Sequence, residues 1–362
     1  MRSSGRRLLG IAATGLGATA AAVVTGVVVE RRVVRARRTG AAGAVEFRSL
    51  RSAARAVTAS DGVRLHAEVD EDQPRKKFRP GKEKATVVFV HGYALNLDCW
   101  YFQREHLRGT RRMVFYDQRS HGRSQRSPKG NATIEQLGED LEAVIEQLVP
   151  DGPVVLIGHS MGGMAILALA EQSPELFARK VAGVALVSTT AGGLRSHRMI
   201  SRWLPDKVMG QVTPRIVAGL ARAPELVDSA RRAGSNIGFL ATERFAFGTA
   251  VPESYVEFVN EMLAKTSFDV LAEFFPNFDS LDKFSVLHAF ERVPTLIICG
   301  TKDLLTSVGH SRKMASRIPG ARLVECEGAG HMVIMECRDA VNSALEVMIG
   351  EADKHDPSKR AS

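Results

Sequence analysis

Val154-Val155-Leu156-Ile157-Gly158-His159-Ser160-Met161-Gly162-Gly163 is the stretch on which the fold turns. Four apolar residues in a row suit a strand buried on both faces, as strands of parallel sheets are. The residues from Met161 on are mostly apolar and predict a helix over 161–171. Between them lies Gly-x-Ser-x-Gly. Its glycines remove Cβ atoms that would clash where backbone segments approach closely. That lets Ser160 project its hydroxyl from the top of the sheet in a strained conformation. The helix that opens behind Ser160 offers free N–H groups and a positive dipole end to a developing oxyanion.

Outward from this turn the same strand–helix alternation recurs. Continuous apolar runs predict buried strands at 86–90, 113–116, 154–157, 181–187, 294–299 and 322–325. Residues 53–59 and 63–69 alternate around Ser60-Asp61-Gly62 and predict an antiparallel pair. Helical patterns cover 133–148, 307–318 and 339–349; Thr133 and Gln136 stand at capping-box spacing, and Ser307 reads as a cap. The pattern predicts an α/β fold: a mostly parallel central sheet with helices on both faces.

One stretch breaks the alternation. Residues 193–292 separate two of the strands and are interrupted by Pro205, Pro214, Pro224, Pro252 and Pro276. They hold ten of the sixteen Phe. An insertion of this length inside a compact sheet predicts a lid or cap. Its Phe side chains are expected to serve both core packing on the sheet and the cap.

The charge is as uneven as the hydropathy. The 362 residues carry Lys+Arg 49 against Asp+Glu 40, a net of +9. Residues 1–48 hold nine Arg and two acids, +7 of that total, so the rest is nearly neutral. Nucleic acid is therefore not expected as a partner. The run from Leu8 to Val29 has no charged residue, and at about 1.5 Å per residue 22 residues span a hydrocarbon core roughly 30 Å thick. A membrane anchor is expected there, since Glu30-Arg31-Arg32 and Arg35-Ala36-Arg37-Arg38 follow at once. The Arg asymmetry across the run places the body on the cytoplasmic side. A cleaved signal peptide ending near Ala18-Thr19-Ala20, with the body exported, is the alternative. The expected organisation is thus an anchor with basic flanks and linker over 1–48, a core over 49–192 and 293–350, a helical cap over 193–292, and a polar tail over 351–362. Cys99, Cys299, Cys326 and Cys337 form no Cys-x-x-Cys pair, so neither a zinc site nor a dithiol motif is expected.

A serine hydroxyl is a poor nucleophile until a base takes its proton, and the base needs a partner that fixes its tautomer. Two candidates follow Ser160 at strand ends. Asp303 lies in Gly300-Thr301-Lys302-Asp303, just past the strand at 294–299. His331 lies in the Gly-rich Glu327-Gly328-Ala329-Gly330-His331-Met332, just past the last strand. Either residue alone reads as a turn former or a solvated loop residue. All three at the carboxyl ends of strands read as a nucleophile, an acid and a base. His91-Gly92-Tyr93 follows the strand at 86–90, so the Tyr93 and Met161 N–H groups would form the oxyanion hole. His159 and His91 read as structural.

With these residues in place the chain resembles serine hydrolases of the α/β-hydrolase superfamily over about residues 53–349. Asp117-Gln118-Arg119-Ser120-His121-Gly122-Arg123-Ser124 is similar to that family's D-x-R-G-x-G-x-S segment, with Ser120 where the family usually has Gly. The resemblance implies an α/β-hydrolase fold with a helical cap, Ser160 as nucleophile, His331 as general base and Asp303 as orienting carboxylate, with no cofactor and no metal. It implies cleavage of a small-molecule carboxylic ester through an acyl-enzyme. The Phe-rich cap and the anchor favour an apolar, lipid-like acyl group. Thioesterase, lactonase, acyltransferase, C–C hydrolase and cofactor-free haloperoxidase chemistry remain open on the same triad, as does a non-catalytic binding protein.

Overall fold

The computed structural model describes residues 45–72, 84–194, 235–355 and 357. The expected anchor at 8–29 and much of the expected cap lie outside these residues. Among the described residues no helix is long and apolar enough to cross a membrane.

Eight strands build one sheet: β1 (Ala54–Thr58), β2 (Arg64–Asp70), β3 (Thr86–Val90), β4 (Met113–Tyr116), β5 (Val154–His159), β6 (Val181–Val187), β7 (Thr295–Gly300) and β8 (Arg322–Cys326). Their order is β1-β2-β4-β3-β5-β6-β7-β8. β3 to β8 are mutually parallel, and β2 runs antiparallel to both β1 and β4. The order reverses between β3 and β5, and in an open parallel sheet the crevice at such a switch point is where ligands bind.

The apolar runs are continuous because both faces are covered. Val88, Val90, Val154, Leu156, Val184 and Leu186 pack with α2 (Ile134–Leu148) and α3 (Met161–Gln172). Val87, Phe89, Val155, Ile157, Ala185 and Val187 face the opposite layer, with α1 (Tyr101–Leu107) and the long C-terminal helix Arg338–Lys354. Successive side chains of a strand point to opposite faces, so each run feeds two cores.

Several boundaries differ from the sequence reading. β5 extends through His159 and β7 through Gly300, because these residues still pair with Val187 and Cys326 in the neighbouring strands. α1, the 3-10 turn Leu97–Trp100 before it, and α4 (Pro174–Lys180) carry no regular apolar period and went unread. Thr133 Oγ accepts from Gln136 N–H at 3.1 Å, but the Gln136 amide turns to Glu139 and Ser60 instead of closing the capping box. Ser307 occupies the cap position of the helix Val308–Ala315 without a side-chain bond. The last helix runs to Lys354 with Ala352 fully buried, so residues 351–354 belong to the body and not to the polar tail.

Of the insertion, helices α5 (Ser235–Ala246), α6 (Glu253–Lys265), α7 (Phe268–Phe274) and α8 (Pro276–Ser280) are described. Phe247, Phe258, Phe274, Phe278 and Phe290 are buried. The 3-10 helix Phe284–Arg292 packs against the sheet side, where Phe290 meets Phe177 at 5.1 Å. A bridge between Gly192 and Asp282 ties the two ends of the insertion together. Lys283 Nζ next to it binds Glu135 of α2 at 3.0 Å and also Glu171 of α3. At the other end of the body, Phe47 stacks on Phe258 at 4.1 Å and meets Tyr101, Phe102 and Tyr255 edge-on. Close packing therefore begins within the expected linker.

Candidate active site

Ser160 sits at φ 52°, ψ −120°, a backbone conformation that an L-residue enters only under constraint. The constraint is local and comes from close approach. A Cβ on Gly162 would lie 2.2 Å from the Val90 carbonyl oxygen, and one on Gly158 would lie 2.6 Å from the Gly162 backbone. The turn thus presses against the end of β3. Ser160 N–H donates to Val187 O at 2.9 Å and Thr189 Oγ donates to Ser160 O at 2.7 Å, fixing the residue against β6. The first intrahelical bonds run from Gly163 and Met164 to Ser160 O. The Met161 N–H belongs to the first turn, where a helix has no acceptor for its own donors.

Asp303 and His331, 28 residues apart in sequence, meet at 2.9 Å between Oδ2 and Nδ1. Both are buried. Asp303 Oδ1 also accepts from the Leu305 and Thr306 N–H groups at 2.8 and 3.0 Å, and Oδ2 accepts from Thr306 Oγ at 2.9 Å. Burial alone would raise this carboxyl. The imidazole beside it and these donors outweigh burial and hold Asp303 below the usual carboxylate range. A carboxylate only accepts, so His331 donates from Nδ1 to Asp303, and Nε2 is the ring nitrogen left for proton transfer.

His159 joins the two halves of this arrangement. Its Nε2 bonds the His331 carbonyl at 3.0 Å, and the two imidazole centroids lie 4.9 Å apart. Burial, reinforced by the nearby His331, lowers His159 to about 3, so it is neutral. His91 is likewise neutral and lowered to about 3, by burial and by its His neighbours. It accepts Gln118 N–H on Nε2 and donates from Nδ1 to Gly92 O, which shapes the turn carrying Tyr93. Both match the structural part expected of them. A Cβ on Gly92 would lie 3.1 Å from Ser160 Cβ, so the segment bearing Tyr93 passes directly over the serine. The Tyr93 side chain belongs to the cap contact. Its hydroxyl donates to Leu271 O of α7 at 2.5 Å, and its ring meets Phe278 of α8 at 5.0 Å.

The Asp117–Ser124 segment is scaffolding. Asp117 accepts the Leu97 and Arg123 N–H groups, and the fully buried Arg119 clamps Asp140 of α2 and Asp61 of the β1–β2 turn. Ser120 adopts φ 66°, and its hydroxyl accepts from Ser127 N–H at 2.8 Å.

Sequence reasoning passed over Thr306 and Glu336. Thr306 carried a signal, an Asp followed three residues later by Thr, the pattern of a local side-chain turn. Glu336 carried none, since three of its four donors lie at positions 248 and 249. No group of three or more His, Cys, Asp or Glu suited to a metal occurs among the described residues.

Residues 85–336 match the family described as alpha/beta hydrolase fold. The chain belongs to that family and is a hydrolase. It is 29% identical over 269 residues to the sn-1-specific diacylglycerol lipase ABHD11 of Mus musculus, covering 72% of this chain and 80% of that one. It is 26% identical over 274 residues to 3-oxoadipate enol-lactonase 2 of Acinetobacter baylyi, covering 74% and 89%. Among solved structures, the enol-lactonase of Burkholderia xenovorans superposes with a TM-score of 0.61 at 25% identity, covering 82% of this chain and all of the other.

Proposed function

We propose that this hydrolase cleaves carboxylic esters through an acyl-enzyme on Ser160. The observation that carries the reading is the Asp303–His331 bond of 2.9 Å, joined through His159 to a serine at φ 52° on a strand-to-helix turn. His331 Nε2 takes the Ser160 proton as Oγ attacks the carbonyl carbon. Asp303 holds the tautomer and stabilises the imidazolium. The Tyr93 and Met161 N–H groups bind the oxyanion, each donor contributing about 3 kcal/mol to the transition state. His331 then gives its proton to the leaving alcohol, and a water deprotonated by His331 releases the acid. Every step uses the chain's own groups, so no cofactor is required.

An apolar, lipid-like acyl group is the substrate class. α7 and α8 bring Phe274 and Phe278 over Tyr93 and His121, and the mouse relative is named as a lipase. The helices α5 to α8 of the insertion act as the cap over this site. Residues 8–29 anchor the enzyme in a membrane with the body on the cytoplasmic side, which brings it to such substrates. Rates over p-nitrophenyl esters of rising chain length test the reading. We expect a burst of p-nitrophenol equal to the enzyme and a preference for octanoyl over acetyl. A preference for acetyl overturns the acyl assignment, and no turnover of any ester overturns ester hydrolysis. A reporter fused after Ser362 that is active only outside the cytoplasm overturns the topology.

A further inference from the structure

Glu336 closes the short helix Val333–Glu336 that follows His331, and one carboxylate there gathers four donors from two distant parts of the chain. Oε2 accepts the Gly330 N–H at 2.6 Å. Oε1 accepts the N–H groups of Gly248 and Thr249 at 2.9 and 3.0 Å, and the Thr249 hydroxyl at 3.0 Å. Residues 248 and 249 follow α5 one residue after its end, so the His331 loop and the insertion share one acceptor. The two backbones also touch. A Cβ on Gly330 would lie 2.5 Å from Gly248 N, and one on Gly248 would lie 2.3 Å from Gly328 O. Beyond the histidine, Met332 N–H donates to Ala246 O at 2.8 Å. His331 is therefore pinned on both sides to residues 246–249.

We propose that Glu336 is a positioning residue, which holds the His331 imidazole in register with Ser160 by fastening its loop to residues 248 and 249 of the insertion. The inference rests on the serine-hydrolase reading above. The site requires a carboxylate because donors converge on both oxygens. An amide offers a single acceptor oxygen, and its NH₂ would confront an N–H on the other side. Loss of the clamp frees the loop to shift, and misplacement of a catalytic group by about 1 Å costs on the order of 100-fold in rate. Substrate contacts are untouched, so the loss falls on kcat and not on KM.

The test uses the full chain with Glu336→Gln, measuring kcat, KM and the rate of capture by a fluorophosphonate probe, at a temperature where near-ultraviolet circular dichroism shows the variant folded. We expect kcat and the capture rate to fall together by about 10- to 100-fold with KM within about twofold. Glu336→Asp, which draws the oxygens back by one methylene, serves with the same expectation if Glu336→Gln does not fold. Wild-type kcat and capture rate in the folded variant overturn the proposal, as does a loss confined to KM. A wild-type enzyme that the probe does not label is a different failure, that of the serine-hydrolase reading.

Discussion

At the scale of single residues, Ser160 and Ser120 are two of the three serines held at positive φ among the described residues, Ser188 being the third, and each of the two is fixed by its surroundings. Ser160 is fixed at φ 52° by the glycines around it, so its strain is imposed by the turn. Ser120, at φ 66°, holds itself by accepting Ser127 N–H. A non-glycine residue in this region costs about 1–2 kcal/mol, and a hydrogen bond returns about 1 kcal/mol. Ser120→Gly therefore exchanges one for the other, and chemical denaturation should show a change within about 1 kcal/mol. Ser120→Ala loses the same bond but keeps the strain, and should cost about 1–2 kcal/mol more than the glycine variant. Equal stability of the two variants would contradict this account.

At the scale of elements, the strand-to-helix turn exists because Gly158 and Gly162 permit it. The neighbours of a Cβ on Gly162 would be the Val90 and His91 carbonyls, which cannot move aside without displacing β3. Gly162→Ala should cost more than about 3 kcal/mol in an unfolding titration. Gly350→Ala is the counterpart: that glycine lies inside the last helix with nothing within 4 Å of a Cβ, and alanine should add about 0.5–1 kcal/mol. Such local contrasts explain what was legible. The parallel strands, the turn at Ser160 and the strand-end positions of Asp303 and His331 are written in apolar runs and adjacent glycines. α1 was hidden because Tyr101-Phe102-Gln103-Arg104 buries a glutamine and an arginine along with Phe102, which erases the apolar period. Strand ends ran past the apolar runs because Gly158, His159 and Gly300 pair through their backbone alone.

At the scale of the molecule, contacts between distant segments decide what sequence proximity could not. Phe47 docks on α6, Lys283 joins the insertion to α2 and α3, and Arg119 binds the β1–β2 turn to α2. The last of these is readable in pH. Hydrogen bonds from Arg119 outweigh burial and hold Asp61 down to about 2, against an ordinary 3.8. A carboxyl with a depressed folded-state pKa contributes stability that is whole above the ordinary value and is lost as pH falls through the depressed one. Asp61→Asn should be less stable than wild type at neutral pH, by a margin that closes as pH falls from 3.8 to about 2. A margin unchanged across that range would contradict the ion-pair account. The central claim, that the sheet, the strand-to-helix turn and the insertion converge to activate Ser160, is tested most directly by intact-mass analysis after exposure to a fluorophosphonate. The account predicts one adduct per chain, located on Ser160 and absent in Ser160→Ala. An unlabelled wild type, or equal labelling of Ser160→Ala, would contradict it.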